Sequence, residues 1–119
     1  MTPTDPRELL PLPPHDLHLL LALLDAPRHA YGLSQAVDEA DGDIRLEIGS
    51  LYRILSRLTT QGVIEGFDPP AAAEGHEARR RYYRITAFGR RVAAAEAGRL
   101  ATVVRMARRH NLLPSRGPR

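Results

Sequence analysis

Between residues 44 and 91 a short apolar helix seed, a glycine stop and two strands, the second heavily basic, follow one another with little chain to spare. In Gly49-Ser50-Leu51-Tyr52-Arg53-Ile54-Leu55-Ser56-Arg57-Leu58, the leucines recur at steps of four and three, which places them on one side of a helix. Tyr52, Arg53, Ser56, Arg57 and Thr60 fall mostly on the other side, and none of them is acidic. The pattern predicts a helix from about 48 to 61, stopped at Gly62. Strands are expected at about 63–68, around Val63-Ile64-Glu65-Gly66-Phe67, and at about 80–86, within Arg79-Arg80-Arg81-Tyr82-Tyr83-Arg84-Ile85. The segment joining them, Pro69 to Ala78, is longer than a tight hairpin needs and is expected to be mobile.

A helix with a basic, hydroxyl-bearing face followed directly by a hairpin with a basic return strand has the outline of a winged helix-turn-helix. Such a helix fits the DNA major groove, and such a hairpin can lie along phosphates. Upstream, a helix is expected from Pro14 or His15, with Asp16 favourably placed against its dipole and Pro27 ending it. Leu17, Leu19, Leu20, Leu21, Leu23 and Leu24 make it apolar nearly all round, so it must be covered on several sides. A second helix is expected at about 30–40, with Leu33, Val37 and Ala40 on one stripe and Asp41-Gly42 closing it; Ile44-Arg45-Leu46 can form a short strand. Thr86 should cap a long last helix reaching about 109, with Val92, Ala95 or Glu96, Leu100, Val103 and Ala107 on one stripe. The expected fold is mainly α with a small β-hairpin: a winged helix-turn-helix with a C-terminal dimerisation helix. Its parts are a flexible arm at 1–13, the winged domain at 14–86, the dimerisation helix at 87–113 and a tail at 114–119.

Charge sharpens the picture. Residues 1–78 carry five arginines against thirteen carboxylates, whereas residues 79–119 carry twelve arginines against Glu96 alone, so a net charge of +3 hides a basic C-terminal third. That asymmetry points to a polyanion, or to pairing between halves of neighbouring subunits. All 17 basic residues are arginine, a bias that a G+C-rich genome explains better than any function. Without cysteine there are no disulfides or thiolate metal sites, and a cytoplasmic location is expected. No apolar run approaches the roughly 20 residues of a membrane span, and the N-terminus lacks the charged-then-apolar order of a signal peptide. His15 and His18 are spaced for a shared metal, but no third ligand accompanies them, so neither a metal nor a cofactor is expected. No nucleophile–base pair, phosphate-cradling glycine loop or carboxylate pair argues for an enzyme.

Four local patterns occur in order: Leu23-Leu24-Asp25-Ala26-Pro27-Arg28-His29-Ala30-Tyr31-Gly32-Leu33, Gly49-Ser50-Leu51-Tyr52-Arg53-Ile54-Leu55, Arg79-Arg80-Arg81-Tyr82-Tyr83-Arg84-Ile85 and Thr86-Ala87-Phe88-Gly89-Arg90. Together they resemble the PadR family of bacterial transcriptional regulators, in its short form with one C-terminal helix, over about residues 14–112. Ala30 and Ala87 depart from the family's usual glycine and proline. Glu47 and Ile48 replace a small cap residue and a proline, leaving the cap of the third helix open and an acid near the DNA-facing end.

From the residues themselves, Tyr52 and Arg53 stand where an inserted helix touches base edges. The plainer reading has Tyr52 packing on the wing and Arg53 merely solvated. Ser50 suits either a cap or a phosphate donor. Ser56 shares the exposed face, and Arg57, one turn on, suits a phosphate clamp. Strand alternation would send Arg79 and Arg81 one way and Arg80 the other, so only part of the run could meet DNA. Tyr31 resembles a family position near the DNA backbone, and a half-buried packing role fits it equally well.

The last helix has a long apolar stripe and little core left to cover, which implies a partner. The resemblance implies a homodimer in which the last helix packs on helix one of the second copy, placing Leu17, Leu20, Leu21, Leu24, Val92, Leu100, Val103 and Ala107 at the contact. The resulting expectation is a dimeric regulator, most often a repressor in this family, on a pseudo-palindromic double-stranded operator, released by an unknown signal. A small-molecule effector between helix one and the last helix is compatible with it. Two rivals remain open: another winged-helix regulator of MarR type, and a winged-helix module that binds protein through the same face.

Overall fold

The computed structural model describes residues 5–40, 47–69, 75 and 80–114. After a 3-10 turn at Pro6–Leu9 come α1 (Pro14–Asp25), β1 (Arg28–His29), α2 (Ala30–Ala40), α3 (Ile48–Thr60), β2 (Ile64–Phe67), β3 (Tyr82–Ile85) and α4 (Ala87–Arg109). Pro14 opens α1, and Ala26, held extended before Pro27, ends it (φ −170°, ψ 154°). The strands form one antiparallel sheet in the order β1-β3-β2, so the expected hairpin is joined by a third, two-residue strand. In it Arg28 pairs with Tyr83 and His29 with Tyr82. The expected strand at Ile44-Arg45-Leu46, Arg79 and most of the 69–78 segment lie outside the described residues.

Two local devices set the helix–sheet junctions. Gly62 takes a positive φ of 77° after α3, and the Val63 N–H donates to the Leu58 carbonyl at 3.0 Å, ending the helix in a tight left-handed turn. Where β3 returns beside Gly62, the Thr86 hydroxyl accepts from the Gly89 N–H (2.9 Å) and donates to the Gly62 carbonyl (2.6 Å). It therefore caps α4 and ties it to the end of α3. Gly89 lies so close to the Val63 carbonyl that a Cβ there would collide with backbone.

One core runs through the molecule, built from Leu19, Leu20 and Leu23 of α1, Leu33 and Val37 of α2, Leu51, Leu55 and Leu58 of α3, Val63, Ile64 and Ile85 of the hairpin, and Val92 and Ala93 of α4. The steps of three and four in α3 place all three leucines in it. Each such side chain contributes roughly 1.5–3 kcal/mol by leaving water. Leu20 and Val92 are fully buried inside this single chain, so neither can lie on a surface offered to a second copy. The expectation that both lie at the dimer contact follows from the family resemblance, from the all-round apolar character of helix one and, for Val92, from its stripe with Leu100. None of these says whether the same chain covers the residue. In the fold the N-terminal half of α4 faces its own α1, and only the later half is open.

The N-terminal segment also differs from the flexible arm expected. Leu9 and Leu10 pack against the core, Leu12 is buried, and the Leu12 N–H donates to the Glu96 carboxylate at 2.9 Å. Glu96 is 2% exposed and also receives the Arg99 guanidinium. Arg99 first, and the Leu12 N–H after it, hold the Glu96 carboxyl below its ordinary value against the opposing effect of burial. The segment is thus strapped across α4.

Candidate nucleic-acid interface

With its leucines inward, α3 turns Tyr52, Arg53 and Ser56 to solvent. The Arg53 Nη2 donates to the Ser50 Oγ at 3.1 Å, which braces the arginine along the first turn. Glu47 at the head of α3 makes no side-chain cap, so the helix starts without a local hydrogen-bond acceptor from that residue. Glu47 itself stays exposed.

Tyr31 at the start of α2 and Tyr52 on α3 are each 54% exposed, and both line a 500 Å³ cleft. Arg80, Arg81, Tyr83, Ile48 and His29 line it with them. The Arg80 guanidinium lies over the Tyr31 ring, 5.6 Å from its centre, and against the His29 ring, 3.1 Å from Nε2. His29 in turn accepts the Gly32 N–H on Nδ1 at 3.0 Å, capping α2. Arg81 folds over Gly66, where a larger residue would meet its guanidinium, and stands 3.9 Å from Asp68.

The alternation expected of the arginine run does not apply, because β3 begins only at Tyr82. Arg80 and Arg81 precede the strand and both line the cleft. Within β3 alternation holds: Arg84 points away, over Phe67 at 4.6 Å and paired with Glu65 at 2.7 Å. Tyr83, half-buried beneath the cleft, has its phenol pushed up by burial and by Tyr52, against the pull of Arg81.

Arg57 departs from its expected role. Its Nη1 and Nη2 donate to the two Asp16 carboxylate oxygens at 2.8 and 2.9 Å, and this pairing raises its pKa. The fork that would clamp a phosphate is already engaged. From sequence, Asp16 shows only as a dipole partner, and nothing singles out His29. No sequence signal distinguished them, since their partners lie 41 and 51 residues away.

Residues 19–95 match the Transcriptional regulator PadR-like family. The chain belongs to that family. Solved structures agree on the fold. A PadR family transcription regulator from Clostridium difficile aligns with a TM-score of 0.70 at 18% identity, covering 80% of this chain and 95% of that one. A PadR-like transcriptional regulator from Bacillus cereus gives 0.69 at 19%, covering 84% and 93%, and one from Eggerthella lenta gives 0.64 at 24%, covering 93% and 87%. A search of proteins with curated functions gave no match. As a PadR-like regulator the protein is a DNA-binding transcription factor with a winged helix, not an enzyme. Among the described residues no helix is long and apolar enough to cross a membrane.

Proposed function

We propose that the protein is a homodimeric repressor that reads a pseudo-palindromic operator, α3 entering the major groove and the hairpin lying on the flanking phosphates. The observation that carries this reading is the convergence of Tyr31 of α2, Tyr52 of α3 and Arg80 and Arg81 of the hairpin on one cleft, with Arg53 and Ser56 exposed on the same helix as Tyr52 and Ser50 bracing Arg53. Arg53 and Tyr52 read base edges; Arg80 and Arg81 hold phosphate. Dimerisation uses the apolar surface left open on one copy: Leu21 and Leu24 of α1 with Leu100, Val103 and Met106 of α4, flanked by the half-buried Leu17 and Ala107. Two-fold symmetry sets the two reading helices about 34 Å apart.

An effector fits the same arrangement. A 260 Å³ cleft lies between the N-terminal segment, α1 and α4, bounded by Leu17, His18, Leu21, Glu96, Arg99 and Leu100. That is below the roughly 300–1,000 Å³ of a drug-sized ligand site. A second copy packed on α1 and α4 would complete it, which links effector binding to the dimer contact.

Selection of bound duplexes from a random pool, followed by salt titration, tests the reading. A recovered inverted repeat whose affinity falls steeply with salt supports it. A protein that recovers no duplex and shows no salt-dependent binding would be an interaction module instead.

A further inference from the structure

Asp16 lies in the first turn of α1 with 0% exposure, and Arg57 lies in the last turn of α3. Two parallel hydrogen bonds at 2.8 and 2.9 Å join them. A fork on a carboxylate fixes separation and rotation together, because both bonds survive only while the two planes stay aligned. As a source of stability such a pair is poor, since desolvating the charges offsets most of their attraction. Its distinctive contribution is direction. α1 carries Leu21 and Leu24 of the open apolar surface, and α3 carries Tyr52, Arg53 and Ser56, so the fork spans the assembling helix and the reading helix.

We propose that Asp16 and Arg57 are positioning residues for DNA reading: the fork sets the roll of α3 against α1, and Arg57 makes no phosphate contact of its own. This rests on the DNA-reading role of α3. It gives fully buried Asp16, which no duplex can touch, a role in discriminating between DNA sequences.

The test uses the full chain, the duplex recovered by selection, a scrambled duplex and three variants: Arg57→Gln, Asp16→Asn and the apolar double variant Asp16→Leu/Arg57→Met. The double variant keeps the site filled without a buried charge, so it serves if either single variant fails to fold. Arg57→Gln and Asp16→Asn are each expected to lose about tenfold or more in operator affinity while scrambled-duplex affinity stays within about twofold. The slope of log affinity against log salt should match the wild type in both. The double variant, though folded, should discriminate as poorly as the singles. Amide exchange through Arg53–Leu58 should quicken in Asp16→Asn even without DNA.

Three results would overturn the proposal. One is a salt slope lower by about 0.9 per subunit in Arg57→Gln with Asp16→Asn unchanged, which would make Arg57 a phosphate contact. Another is wild-type discrimination in the double variant. The third is unaltered amide exchange in Asp16→Asn. Failure of the wild-type protein to bind any duplex would instead remove the DNA-reading role, and the exchange measurement would still decide whether the fork orders α3.

Discussion

Arg80 stacks its guanidinium over Tyr31, 5.6 Å from the ring centre, so the hairpin and the start of α2 form one continuous surface. The contact leaves Arg80 half-buried and Arg81 exposed beside it. Both precede β3 and line one cleft, and on the proposed reading both hold the same stretch of phosphates. Changing Arg80 and Arg81 together to Ala should lower the slope of log affinity against log salt by about 1–2 per subunit, at roughly 0.9 for each lost phosphate contact. An affinity drop with an unchanged slope would mean that the two arginines only brace Tyr31 and Gly66.

Arg53 should behave differently. It lies in the first turns of α3, braced on Ser50, and among the described residues it has no ion pair. Arg53→Ala should cost about 1–3 kcal/mol of operator binding and little on scrambled duplex. Ser50→Ala should give a smaller loss in the same direction by loosening the brace. Gel-shift titration on both duplexes separates these outcomes, and equal losses on both would assign Arg53 to the backbone.

How much of this was legible beforehand depended on how far each residue's partner lies along the chain. α3 and the hairpin could be read because Leu51, Leu55 and Leu58 share a helical period and Gly62 marks its end. Thr86 announced the start of α4 through a cap three residues long. β1 could not be read, because Arg28 and His29 become a strand only by pairing with Tyr83 and Tyr82. The ordered N-terminal segment was hidden for the same reason: Leu12 is buried through a bond to Glu96, 84 residues on, while four prolines between residues 1 and 13 suggest a free arm. Asp16 showed only its local face, the helix dipole, and not its bond to Arg57. Periodicity reports which side of an element is apolar; it does not say whether the same chain or a second copy covers that side. Val92 and Leu100 share a stripe, yet one is core and the other open surface.

The strap held by Glu96 gives the protein an acid-sensitive contact. Arg99 and the Leu12 N–H hold the Glu96 carboxyl below its ordinary value of 4.5, so the folded state prefers it ionised. For a depressed carboxylate the stabilisation is complete above the unfolded value and disappears as pH falls through the lower folded value. Glu96→Gln should therefore cost about 1–3 kcal/mol at pH 7, as expected for buried hydrogen bonds to a charge. The gap between wild type and variant should start to narrow as pH falls below about 4.5. Urea unfolding of both proteins from pH 7 to pH 3 measures it, and a gap that stays constant would show that the charge of Glu96 is not what holds the strap.

Leu100 offers a test of the proposed assembly. It is exposed on the outward half of α4 in a single chain, in line with Val103 and beyond the buried Val92. An aspartate there would remain hydrated in a monomer, so Leu100→Asp should fold. In a dimer packed through α1 and α4 the same aspartate would lose water without a partner, at a cost of several kcal/mol. Sedimentation should then show monomer where the wild type gives dimer. Operator affinity should fall by about 10²–10⁴-fold, because a single reading helix loses the gain from being tethered to a second one. Nonspecific binding at low salt should persist, since the arginines of the hairpin and of α4 are untouched. A stable Leu100→Asp dimer with full operator affinity would sink this interface, and the search for the contact would move to Leu112 and Leu113, the exposed leucines beyond the end of α4.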